Sequence, residues 1–390
     1  MPLAPTTLIA PDQRQYTAEF FHEDPTGGRI DKWTIRGGPG DGIDVVELAH
    51  PDLSVSVLPT RGMGIWKAQS RDLPIGWQSP VRRPVHPSLV RVNESGGIGW
   101  LGAFHELVAR CGLAWHGPPA TDPEDGRTST LHGRIANIPA HEVSVGVDDN
   151  GRTWVRGVVE ETSLFGECLQ LTSVISVTPG STCITIEDTV TNLAGIPSDL
   201  ELLYHTNIGA PILEAGSRLS APARRVIPAT PHAASAVDAW DHIPAPTSGF
   251  VEQCYFLELA PGQDHRTLVV LHDASARHGV ALGFDLTSLP HFTIWKNAVA
   301  AEDGYVVGIE PSTDLPNPRH FERNQGRLMR LPAGAAWTTR LELQILADAS
   351  AVSDALAVVE SIGRGIDTII EPAPRTTHTA GLAPEEPPGH

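Results

Sequence analysis

The sequence predicts an all-β protein, a large antiparallel β-sandwich with few short helices. Three observations predict it. Apolar residues recur mostly at a period of two, only one segment carries a good helical period, and glycine (37) and proline (34) together supply 71 of 390 residues. Alternation places one face of each segment in a core. Glycine and proline punctuate turns and weaken helix interiors. No three-residue glycine period exists, which excludes collagen. All-β domains run past the usual ~150-residue prior, so one domain with extensions is expected. Its parts are an N-terminal extension (1–31), the sandwich (32–348), a C-terminal helix and strand-like segment (349–371), and a disordered tail (372–390).

The elements follow in order. The stretch to Asp31 is polar and weakly patterned, and residues 100–110 carry a weak helical pattern. Val143, Val145 and Val147 alternate with smaller or polar residues and run into Asn150-Gly151, a hairpin turn signal, with a partner strand over 153–160. Strands are expected at 168–177 and 183–191, separated by the turn Pro179-Gly180. Further strands are expected at 200–205, 267–271, 279–286, 292–296, 305–309 and 338–345. Val352, Leu356, Val359 and Ile362 recur at helical spacing. Beyond Glu371 the chain is rich in Pro, Thr and Glu with almost no large apolar residues, too little to offset its ordering entropy.

Charge and cysteine content narrow the function. With 28 basic and 46 acidic side chains the net charge is −18, which argues against nucleic acid, whose phosphates are bound by clustered Lys and Arg. It argues equally against an anionic membrane surface. The start, MPLAPTTLIAPDQ, lacks a charged n-region and a full apolar h-region, and no run of 18 apolar residues occurs. A soluble cytoplasmic protein of unknown oligomeric state is therefore expected. The four cysteines show no CxxC spacing, so neither a zinc knuckle nor a disulfide framework is indicated. The segment 97–102 spells GxGxxG, but no strand precedes it and no βαβ pattern follows, so a loop feeding a short helix is the better reading. None of the three His-Glu pairs extends to HExxH, which excludes a zincin.

Three segments place a titratable residue among small or turn-forming neighbours at strand ends: Leu131-His132-Gly133-Arg134, Tyr204-His205-Thr206-Asn207, and Gly308-Ile309-Glu310-Pro311. Two histidines and a glutamate offer the acid, base and polar clamp needed for proton traffic near neutral pH.

In the order and approximate spacing of these segments the sequence resembles the galactose mutarotase-like, or aldose 1-epimerase, superfamily. Within it, the likeness is to the branch described as domain of unknown function 4432. The landmarks are LPTRGMGIW (58–66), ARCGLAWHGPP (109–119), LHGRIANIPA (131–140), LLYHTNIGAPILEAGSRL (202–219), IWKN (294–297) and GIEP (308–311). The resemblance implies a supersandwich of large antiparallel sheets with its site on a concave face. It implies a cofactor-free isomerase acting on a small carbohydrate, with Glu310 as base, His205 as acid and His132 binding and polarising the sugar. Beside these, Arg61 and Lys296 are either donors to sugar hydroxyls or an anionic group, or buried ion-pair partners. Trp66 and Trp295 either stack on a sugar or belong to the core, and Asn207 either binds substrate or completes a turn.

The chain departs from simple sugar mutarotases after the strand-borne histidine, where it reads Thr206-Asn207-Ile208. That departure keeps two alternatives in view. If His132, His205 and Glu310 converge, together with His105 and Glu214, they form a divalent-metal site suited to a glycoside hydrolase or lyase. The other alternative is a non-catalytic sugar-binding protein.

Overall fold

Two sheets hold nearly all of the regular structure. The structure is a computed structural model, and it describes residues 2–9 and 19–382. The smaller sheet has nine strands in the order Thr6–Ile9, Glu142–Val147, Thr153–Thr162, Cys168–Val177, Cys183–Asn192, Ala336–Leu346, Gly279–Asp285, Arg266–His272 and Arg218–Ser220. The larger has fourteen. Its central strands run Gly64–Ser70, Val108–Leu113, Ser198–Ile208, Val306–Ser312, His291–Asn297 and Gln253–Leu259, flanked on one side by Leu53–Leu58 and Asp44–His50. The strands expected from the sequence are present to within a few residues. Among the described residues no helix is long and apolar enough to cross a membrane.

The main core lies between the sheets, filled by alternate residues such as Leu202, Tyr204, Ile294, Val307 and Ile309 from the larger one and Val155, Leu171, Ile175 and Ile186 from the smaller. Polar bridges cross it, the most extensive at Arg110. Arg110 donates from Nε and Nη2 to Asp188 at 2.6 and 2.9 Å, from Nη2 to Ser173 Oγ at 2.7 Å and from Nη1 to the Met63 carbonyl at 2.6 Å. The Tyr204 hydroxyl donates to the same carboxylate at 2.7 Å. The ionised pair is thus nearly saturated with partners, the condition under which a buried charge is tolerated.

Three expectations need correction. Residues 100–110 do not form a helix: one 3-10 turn, Gly99–Ala103, leads into the strand Val108–Leu113. That strand is buried on both faces, so its apolar residues show no alternation. The N-terminal extension is not separate from the sandwich. Thr6–Ile9 pairs with Glu142–Val147, and Phe20–Glu23 pairs with Arg29–Thr34; as edge strands they need little apolar patterning. Residues 10–18, assigned to the same extension, lie outside the described residues. The tail is placed as far as residue 382. Asn317 Nδ2 donates to the His378 carbonyl at 2.9 Å, Arg327 Nη1 to the Thr377 carbonyl at 2.8 Å, and Thr379 Oγ1 to the Ala229 carbonyl at 3.2 Å. Hydrogen bonds hold a segment that apolar burial could not. Residues 383–390 of the expected tail lie outside the described residues. The expected C-terminal helix is present over Ala349–Gly363, capped by Asp348, whose carboxylate accepts from Ala351 N at 2.9 Å. Its buried face is Val352, Ala355 and Val359, against Val270, Ala281 and Leu346, with Leu356 only partly covered.

Candidate functional site

On the face of the larger sheet that points away from the main core lies a second, smaller apolar cluster: Trp100, Phe104, Ala109, Cys111, Ala136 and Leu203. Strand alternation sends His205, Glu310 and Trp295 to this outer face. The pairings Thr206 with Ile309 and Leu203 with Ser312 set His205 across from Glu310, and Glu310 pairs in turn with Thr293 on the next strand. Three neighbouring strands thus form one row, His205–Glu310–Thr293, with Asn207–Gly308–Trp295 beside it.

His205 Nε2 lies 3.2 Å from Glu310 Oε1, both side chains nearly buried. Gly308 makes this approach possible. A Cβ there would overlap Glu310 Oε1 and would stand 3.1 Å from Glu310 Cδ and 3.2 Å from His205 Cε1. The carboxyl group therefore folds back over the space a side chain would fill.

His132 closes the site from a loop. Its backbone is left-handed, φ 58°, and so is that of Gly133, φ 70°. A Cβ on Gly133 would overlap the carbonyl oxygens of Trp115 and Gly112, so backbone crowding requires glycine at 133. Nδ1 of His132 donates to the His116 carbonyl at 2.9 Å, leaving Nε2 as the acceptor nitrogen. The ring lies 5.4 Å from that of His205, nearly perpendicular, and 4.7 Å from Trp100. Beneath it, His116 Nε2 is 2.8 Å from Asp314 Oδ1. Burial opposes the charge on His116, but Asp314 and its hydrogen bond outweigh it and raise the pKa to about 9.

The electrostatics follow from burial. Burial, then the charge of Glu252, pushes Glu310 well above the usual carboxylate range. Burial, then the neighbouring His132, pushes His205 well below the ordinary histidine value, and the Asn207 side chain pulls it partly back. His132 is pushed down to about 4 by its surroundings. Both shifts favour the uncharged pair, a neutral imidazole beside a carboxyl group. It differs from an imidazolium–carboxylate pair only in the position of one proton.

The other expected contacts divide. Trp295 is at the site, its ring 5.4 Å from His205 and its Nε1 donating to Glu252 Oε2 at 2.6 Å. Asn207 is beside His205 but buried, with Nδ2 bound to the Glu106 and His205 carbonyls at 3.0 Å. Arg61 is not a ligand donor. Its fully buried guanidinium is taken by Glu106 at 2.8 Å, by Asn137 and by the Ala103 carbonyl at 3.1 Å. Nor is Lys296, which alternation sends to the opposite face from Trp295, where Nζ donates to the Ala239 and His242 carbonyls, each at 2.8 Å. Trp66 is half-buried on the outer face but away from His205, beside His105 at 6.3 Å.

Among the described residues no three His, Cys, Asp or Glu side chains gather as metal ligands do, so His132, His205 and Glu310, with His105 and Glu214, do not form that set. The Glu214 carboxylate instead accepts from Ala274 N at 3.1 Å.

Sequence reasoning passed over Trp100 and Phe104, whose rings lie 6.4 and 4.8 Å from His205. It also passed over Thr293 and Ser312. Both hydroxyls are buried without a hydrogen-bond partner, as are His205 Nδ1 and Trp100 Nε1, and Glu310 Oε1 approaches His205 Nε2 at 3.2 Å without hydrogen-bond geometry. Unsatisfied polar groups of this kind are costly unless a ligand or water meets them. The period of two around Trp295 and Glu310 would have named Thr293 and Ser312.

The model of the family described as a domain of unknown function (DUF4432) matches residues 40–345. The chain belongs to the DUF4432 family. Among solved structures, this DUF4432 chain is similar to a proposed aldose 1-epimerase from Klebsiella pneumoniae, 29% identical, with 98% of this chain and 100% of that one covered at a TM-score of 0.92. A galactose mutarotase-like protein from Clostridium acetobutylicum (15% identity, 81% and 98% covered, TM-score 0.56) shares the fold. So does the galactose 1-epimerase of Lactobacillus acidophilus (10% identity, 81% and 98% covered, TM-score 0.54). None of the curated proteins matches the chain.

Proposed function

We propose that the protein is a carbohydrate-active isomerase of the aldose 1-epimerase type, exchanging the anomers of a reducing sugar at the His205–Glu310 pair. The observation that carries this reading is the 3.2 Å approach of His205 Nε2 to Glu310 Oε1 in a buried row edged by tryptophan and phenylalanine rings. The Klebsiella relative's description and the fold shared with a galactose 1-epimerase support it.

The chemistry needs one base and one acid that exchange roles. With the shared proton on His205, the Glu310 carboxylate removes the proton of the anomeric hydroxyl while the imidazolium protonates the ring oxygen. The bond between anomeric carbon and ring oxygen breaks, its electron pair staying on the oxygen. The resulting aldehyde turns about the adjacent carbon–carbon bond, and closure in the reverse sense gives the other anomer with both residues restored. Burial raises the basicity of Glu310 once it is ionised, and the unpaired hydroxyls of Thr293 and Ser312 are suited to bind sugar hydroxyls. Nε2 of His132, free and unprotonated, accepts from another.

The test is polarimetry on freshly dissolved single anomers of a panel of aldoses. The protein should accelerate the approach to equilibrium for at least one of them, and Glu310→Gln should abolish the acceleration. Rates equal to buffer across the panel would sink the proposal.

A further inference from the structure

The same outer face carries a trough beside the His205–Glu310 row, over the strands Leu53–Leu58 and Gly64–Ser70. Its two lobes, about 460 and 360 Å³, share Trp66, Trp77, Gln78 and His105. Two ring-to-ring steps join it to the imidazole: Trp77 to Phe104 at 5.0 Å and Phe104 to His205 at 4.8 Å. Trp77 is fixed by an Nε1 bond to the Glu106 carbonyl at 3.0 Å. Trp66 packs against the apolar cluster around Leu58.

The polar character of the trough is specific. His105 forms part of the wall of both lobes. Its Nδ1 donates to the Ala103 carbonyl at 2.9 Å, so Nε2 is the acceptor nitrogen, and it is buried with no partner. Burial lowers the pKa of this ring, which keeps the acceptor available. Charges of both signs line the trough, Arg82 and Glu302 in one lobe and Glu47 and Lys67 in the other, where Lys67 Nζ lies 4.7 Å from the Trp66 ring centroid, so no single sign of ionic ligand is selected. Aromatic faces that cover C–H groups, combined with a lone acceptor for a hydroxyl donor, describe a neutral, hydroxylated ring.

We infer that this trough binds a second glycosyl unit, and that the substrate is a reducing disaccharide or longer oligosaccharide rather than a free monosaccharide. The inference rests on the acid/base reading of His205 and Glu310. The reducing ring would lie in their row with its anomeric hydroxyl free. The next unit, joined through another carbon, would lie over Trp66 and Trp77 with a hydroxyl toward His105.

Saturation-transfer-difference NMR tests it, using maltose, cellobiose, lactose and melibiose against glucose and galactose. With the wild-type protein, both rings of at least one disaccharide should receive saturation. Trp66→Ala should lose the signal from the non-reducing ring and weaken that disaccharide's affinity about tenfold, the scale of one lost aromatic contact. Trp66→Phe should retain most of both, and thermal midpoints check that each variant is folded. Saturation confined to the reducing ring for every disaccharide would overturn the inference, as would unchanged affinity in a folded Trp66→Ala. Anomer exchange measured on the same samples separates the two claims. Exchange of monosaccharides with a silent second ring refutes the trough alone. Saturation of both rings with exchange no faster than in buffer refutes the acid/base reading and leaves the trough standing.

Discussion

Gly308→Ala perturbs the proposed site without removing either reacting group. The residue lies mid-strand with an ordinary extended backbone, outside the left-handed set, so alanine costs nothing in φ. In a strand it should favour folding by roughly 0.5–1 kcal/mol through lower unfolded-state entropy. The new methyl group would overlap Glu310 Oε1 and approach Glu310 Cδ and His205 Cε1 to 3.1 and 3.2 Å. The wall there is buried, so the carboxyl group is the part able to yield. Restoring van der Waals separation carries Oε1 outward by about an ångström, a misplacement that typically costs on the order of 100-fold in rate. Steady-state polarimetry should therefore show kcat/KM reduced by about that factor while the thermal midpoint stays near wild type. A folded Gly308→Ala protein with the wild-type rate would refute the packing of Glu310 over Gly308 as the arrangement that matters.

Other expectations follow from the buried charges. Glu310→Gln should raise the thermal midpoint at pH 7 while reducing anomer exchange by roughly 10²–10⁴-fold. The sign comes from the raised pKa of Glu310: above the unfolded carboxyl value the unfolded chain releases a proton that the folded one keeps, so stability falls as pH rises toward the folded pKa. A lower midpoint for the glutamine variant would contradict the burial argument. For His116, raised from 6.5 to about 9, stabilisation is full below pH 6.5 and is lost as pH rises through 9. Urea midpoints of His116→Gln should accordingly lose part of the wild-type decline across that window. Asp188→Asn leaves the buried Arg110 without its counter-charge, and denaturant titration should register a loss of roughly 3–5 kcal/mol.

Much of this architecture was legible in the chain because most strands of the smaller sheet present one face to the core and one to solvent. From 168 to 177 and from 183 to 192 burial alternates nearly residue by residue, the pattern that a period of two reports. The larger sheet was harder. Val108–Leu113 and most of Ser198–Ile208 are covered on both faces, which erases the alternation and let the 100–110 segment read as a helix. His132 was visible because the crowded backbone needs Gly133 beside it, and His205 and Glu310 through the order and spacing of the segments that carry them. Arg61 and Lys296 were placed less well for a related reason. A long cation next to a motif looks the same in sequence whether it faces the site or its own counter-ion. Alternation alone sets Trp295 and Lys296 on opposite faces of one strand, but only the fold shows which of them faces the site and that Glu106 occupies Arg61. Trp100 and Phe104 carry no individual signal, since their part depends on how the 99–103 turn packs over the sheet, whereas Thr293 and Ser312 could be named from the alternation around Trp295 and Glu310.

The central claim is that His205 and Glu310 exchange the anomers of a reducing sugar. Magnetisation-exchange NMR at equilibrium measures that directly, because saturating one anomeric proton transfers to the other only if the ring opens and recloses during the experiment. The account predicts transfer between α and β signals with catalytic amounts of wild-type protein and none above buffer with Glu310→Gln. Equal transfer with the two proteins, or none above buffer with either across mono- and disaccharides, would contradict it.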